Sequence, residues 1–162
     1  MTGLPASGKS TAIRQAAAFY AERDSWPLPI HLHVTDFLQR TDIVAPFDAG
    51  VELAVRDADP QDRPLLEDEL RDRAQQGSLA FFLDGLDETR ERRHEAVQRV
   101  ERMLQDVHSD VEVVLATRDL AYADAMTLGF KDVRLPPPQS MDAVVTAVLG
   151  GCCSASDSSV AC

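Results

Sequence analysis

The chain has 162 residues, enough for one domain with a buried core, and 44% of them are hydrophobic. Sixteen basic residues against 27 acidic ones give a net charge of −11, which argues against non-specific attraction to nucleic acid or to an anionic membrane. No apolar run approaches the ~20 residues of a membrane-spanning helix, and polar residues stand where a secretory leader would be apolar, so the expected location is cytoplasmic.

Residues 10–24 predict a helix. Ile13, Ala16, Ala17 and Tyr20 recur at three- and four-residue spacing, and Trp26-Pro27 stops it. Ile30, Leu32 and Val34 then alternate with His31 and His33, which is strand periodicity. A His-x-His pair can bind metal, but with no third ligand nearby it reads better as an exposed strand face. Residues 41–50, with Pro46 and Gly50, read as a loop, and a short helix follows at 51–56. The next helix, 62–75, carries Leu66, Leu70 and Ala74 on one stripe and the i,i+4 pairs Glu67/Arg71 and Glu69/Arg73 on its surface. Gly77 is placed to end it. The run 79–83 is short and continuously apolar, as in a parallel strand covered on both faces. A helix is expected over 90–107, a strand over 111–116, a weakly specified helix over 119–130 and a short strand at 133–135. After the prolines at 136–138, Ser140 would cap a last helix to 149. Strands alternating with helices predict an α/β domain over 1–150 with a parallel sheet flanked by helices. The tail 151–162 is rich in Cys and Ser and holds all three cysteines (Cys152, Cys153, Cys162). It carries no metal-ligand spacing and is expected to be disordered.

Two segments carry chemistry. The first is Gly3-Leu4-Pro5-Ala6-Ser7-Gly8-Lys9-Ser10, followed by Thr11, which fits G-x-x-x-x-G-K-[ST] at every fixed position. Glycines let the backbone curl so that successive N–H groups point at phosphate oxygens. Lys9 adds a point charge, the Ser10 hydroxyl can ligate Mg²⁺, and the helix that starts there directs its positive end at the same anion. The second is the strand end Phe82-Leu-Asp84-Gly-Leu-Asp87-Glu88. Asp84 would sit at the carboxyl edge of the sheet, where it can hold Mg²⁺ opposite Ser10, while Asp87 and Glu88 lie one turn further on, able to polarise a water. A third strand end, Thr117-Arg118, offers an arginine that could contact a terminal phosphate or form an ordinary surface ion pair.

With these segments in place, Phe82-Leu-Asp84-Gly-Leu-Asp87-Glu88 resembles the acidic motif of NACHT-family NTPases, where a small residue follows the magnesium aspartate and an acidic pair lies just beyond. The lead-in at 65–77, the Thr117-Arg118 strand end and the segment 133–149 are similar to the same family. The resemblance implies a three-layer P-loop NTPase-type fold and a STAND-class, ATP-dependent signalling switch that self-associates in the full-length protein. By position it implies phosphate binding through residues 3–11, Mg²⁺ at Ser10 and Asp84, water activation at Asp87 and Glu88, and γ-phosphate sensing by Arg118. The family's strand before the phosphate loop is not seen ahead of Gly3, nor is a helical or winged-helix region after the core, so the expectation is a fragment of a longer regulatory or defence protein. In the family's sheet order the strand lies between the Arg118 strand and the last one, and its loss would expose two edges. Two other readings stand beside this one. A small-molecule P-loop kinase would need an arginine-bearing lid that no stretch here resembles, and an inert remnant would not turn nucleotide over.

Overall fold

The computed structural model describes residues 1–2, 8–40, 45–118, 128–131 and 133. Along the chain they form α1 (Lys9–Ala21), β1 (Leu28–His33), α2 (Val34–Gln39), α3 (Pro46–Val55), α4 (Arg63–Gln75), β2 (Leu79–Asp84), a 3-10 helix (Leu86–Arg92), α5 (Arg93–Gln105) and β3 (Glu112–Leu115). The three strands make one parallel sheet in the order β1-β2-β3.

Side-chain alternation decides the layering. On one face Ile30 and Leu32 of β1, Leu79, Phe81 and Leu83 of β2 and Leu115 of β3 join a core with residues of α2, α3, α4 and α5. On the other face Ala80, Phe82 and Ala116 pack against Ile13 and Ala17 of α1. All six residues of β2 are buried, which is why 79–83 reads as an unbroken apolar run rather than an alternating one. The result is an α/β fold with helices on both faces of a three-stranded parallel sheet. Tyr20 ties α1 to β3: its ring meets Phe82 edge-on and its hydroxyl donates to Glu112 at 2.6 Å.

Register then fixes what reaches the carboxyl edge. His33 pairs with Asp84 and Leu32 with Leu83, so His33 and Asp84 share the face that α1 covers. Pro29 also fits its strand. The Leu28 N–H donates to Ser78 toward β2, so alternation turns the position of Pro29, which has no N–H, away from β2.

The far side of β3 is paired near its end. The Met1 amino group donates to the Leu115 carbonyl at 2.6 Å and the Thr117 N–H to the Met1 carbonyl at 3.0 Å. The Thr2 N–H donates to the Val133 carbonyl at 2.9 Å. Met1 and Thr2 thus lie between β3 and Val133, where the sequence reading expected two open edges. Thr2 is buried.

Element boundaries differ from expectation in several places, and α1 ends at Ala21 rather than 24. Val34 opens α2 instead of ending β1, and Val34, Phe37 and Leu38 bury as a helical turn. Pro46 and Gly50 do not mark a loop. Pro46 stands at the start of α3, where its missing N–H costs nothing, and Gly50 brings α3 close to Leu32 and Met103. The helix expected from residue 90 begins at Arg93, after the 3-10 helix. By contrast α4 forms as read, with Arg71–Glu67 at 3.3 Å and Arg73–Glu69 at 2.6 Å. The helix expected over 119–130 falls mostly, and the strand at 133–135, the helix to 149 and the tail almost wholly, outside the described residues.

Two outcomes follow for stability. Phe81→Ala, in the middle of the fully covered strand, should cost about 3–5 kcal/mol in urea unfolding. Hydrogen bonding to Glu112, with burial adding to it, pushes the Tyr20 phenol up to about 12. The folded state therefore holds this proton more tightly than the unfolded chain, whose phenols ionise near ~10. The stabilisation is complete below pH ~10 and is lost as pH rises through about 12. Ultraviolet titration of the phenolates should show a component near 12 that Tyr20→Phe abolishes.

Candidate functional site

The carboxyl ends of β2 and β3 and the N-terminus of α1 meet at one cleft of about 200 Å³, lined by Gly8, Lys9, Ser10, Asp84, Gly85, Asp87, Glu88 and Arg118. Of the described residues assigned to phosphate, metal, water or sensing, only Thr11 is not in its wall. Gly3, Leu4, Pro5, Ala6 and Ser7 lie outside the described residues.

Each element delivers its group for a local reason. Gly8 precedes α1 at φ 80, a conformation that glycine adopts without a Cβ penalty, and a Cβ built there would meet none of the described residues within 4 Å. Among the described residues no side chain caps α1 and no acidic residue sits in its first turn, so the carboxylates across the cleft are the negative groups nearest its positive end among those lining it. Lys9 is 9% exposed and Asp84 5%, both held in the wall, whereas Ser10 is exposed.

After Asp84 the chain turns at Gly85, with φ 83, into the 3-10 helix that carries Asp87 and Glu88. The Thr89 hydroxyl donates to the Leu86 carbonyl at 2.6 Å and pins that turn. Arg90, just beyond, has φ 49 and ψ −115, a geometry that costs a non-glycine residue about 1–3 kcal/mol.

The two carboxylates of this turn behave differently. Asp87 is 13% exposed and its Oδ2 lies 2.6 Å from Arg118 Nε. Arg118 thus pairs with a second candidate site residue. Glu88 is 56% exposed, with its Oε2 3.6 Å from His33 Nε2. The sequence reading left His33 as a surface residue. The one signal that could have singled it out is its register opposite Asp84, which the sequence does not state. Its neighbour His31 is held below its ordinary pKa, chiefly by burial.

The charges lining the cleft suit an anion that arrives with a divalent cation better than an anion alone. Three carboxylates face two cations across the cleft, so an anion alone would meet a net negative wall, and a divalent cation reverses that balance. Among the described residues no group of three His, Cys, Asp or Glu could hold a metal. Magnesium does not need one, since it is commonly held by one or two protein oxygens with phosphate and water completing the shell.

Gly85→Ala should destabilise the chain by about 1–3 kcal/mol in thermal or urea unfolding, because it puts a side chain at positive φ with its Cβ 2.6 Å from the His33 ring. Asp87→Asn should cost less than about 1 kcal/mol, because the arginine it releases is half exposed. No family model, curated protein or solved structure matches the chain.

Proposed function

We propose that the chain is an ATP-binding signal-transduction switch domain, similar to the NACHT family of STAND-class P-loop NTPases, with slow Mg²⁺-dependent hydrolysis. The observation that carries this reading is the single cleft shared by Lys9, Ser10 and Asp84. Those three residues come from segments about 75 positions apart in sequence.

In this reading the Lys9 ammonium and the N–H groups at the start of α1 bind the phosphates. Ser10 and Asp84 hold the magnesium ion, which when bound neutralises charge on the phosphate oxygens. Glu88 accepts a proton from the attacking water, and its exposure leaves it room to reach one. Arg118 contacts the terminal phosphate, for which it must exchange its bond to Asp87. The Asp87–Arg118 pair then reports whether that phosphate is there, which suits a switch better than a fast enzyme.

Turnover should be slow, since transition-state charge in such sites often needs an arginine supplied by a partner, an effect of about 10³–10⁵ in rate. Self-association of the full-length protein, in a cytoplasmic defence or regulatory setting, belongs to the same proposal.

Titration of labelled ATP tests it directly. Binding should require Mg²⁺ and fall at least ~30-fold in Lys9→Ala, a loss of about 2 kcal/mol for one charge-assisted contact. Asp84→Asn should weaken the Mg²⁺-dependent part, and Glu88→Gln should keep binding while slowing hydrolysis, so that nucleotide stays trapped. Binding indifferent to Lys9→Ala, or brisk hydrolysis by a dilute monomer, would count against the switch.

A further inference from the structure

We infer that His33 is a positioning residue for Glu88, setting the direction of the carboxylate from the neighbouring strand. The inference rests on the nucleotide reading of the cleft and adds to it a residue outside both motifs.

Three contacts fix the ring. His33 ends β1 in register with Asp84, one residue from Gly85. A Cβ built on Gly85 would lie 2.6 Å from His33 Cε1 and 2.7 Å from Nε2, so the imidazole rests directly on the backbone of the turn. On its other side Nδ1 is 2.6 Å from the Thr35 hydroxyl in the first turn of α2. Nε2 then faces Glu88 Oε2 at 3.6 Å.

Glu88, which only accepts, favours the tautomer with the ring proton on Nε2, and the Thr35 hydroxyl, able to donate to Nδ1 or to accept from it, accommodates that tautomer. When the Thr35 O–H donates to Nδ1, the ring proton sits on Nε2 and points at Glu88. The other tautomer would turn a lone pair toward a carboxylate. At 3.6 Å the pair is beyond hydrogen-bonding range, so His33 orients Glu88 by electrostatics without clamping it. The carboxylate keeps the exposure it needs to meet a water. A purely structural His33 would support the Gly85 turn and have no preference for the charge at position 88.

The test uses the full chain, first without nucleotide. The ring ¹H and ¹⁵N signals of His33 should shift in Glu88→Gln while those of His94 and His108 stay in place. With Mg²⁺-ATP in single turnover, His33→Ala should slow hydrolysis about tenfold with the ATP Kd unchanged within about twofold. His33→Gln, whose amide N–H can stand in for Nε2–H, should recover most of the rate. In a Glu88→Gln background His33→Ala should have no further effect. Unmoved His33 signals in Glu88→Gln would overturn the inference. So would an undiminished rate in His33→Ala and His33→Gln, or losses that add in full to those of Glu88→Gln. ATP binding indifferent to Lys9→Ala would instead overturn the nucleotide reading, and the catalytic part of the His33 role with it, whatever the ring signals show.

Discussion

The structure depends on the complete burial of β2. A six-residue strand with no exposed position needs a neighbour on each edge and a cover on each face, and here it has β1 and β3 beside it, α1 on one face and the larger core on the other. Burial of this kind resists slippage, because a one-residue shift would turn Phe81 and Phe82 to the wrong layers and drag Asp84 inward. The carboxylate at the strand's end is therefore placed by hydrophobic packing well away from it. The turn at Gly85 and the groups on the 3-10 helix take their positions from that same anchor.

The sequence made some of this readable and hid the rest, for reasons that differ by residue. The continuous apolar run of β2, the paired charges of α4 and the glycine-lysine-serine start of α1 are local patterns, set by neighbours a few positions away. Pro46 and Gly50 misled because each has two meanings. A proline can open a helix as well as break one, and a glycine can serve close packing as well as a turn, and only the position of Met103 and Leu32 decides between them. Val34 continued an alternation that the chain abandons after His33, since Phe37 and Leu38 have more to bury as a helical turn.

The site was legible as a set of residue types and not as a set of pairings. Lys9, Ser10, Asp84, Asp87, Glu88 and Arg118 were each named by motif, and they share one cleft. That Arg118 bonds to Asp87, and that His33 stands between Gly85 and Glu88, depends on strand register and on a crossover of about 50 residues. No periodicity in the sequence encodes such a contact. Met1 and Thr2 make the same point at the other end of the sheet. Two residues without strand-like pattern are held between β3 and Val133 by three backbone bonds.

The backbone at Arg90 has a consequence of its own. It joins the carboxylate-bearing turn to α5 through a conformation that its side chain disfavours, so the joint is loaded like a bent spring. Release of about 1–3 kcal/mol corresponds to a ~5- to 150-fold shift between two arrangements of the chain. The chain thus carries, two residues past Glu88, a local penalty that is a noticeable fraction of the ~5–15 kcal/mol by which a small domain is typically stable.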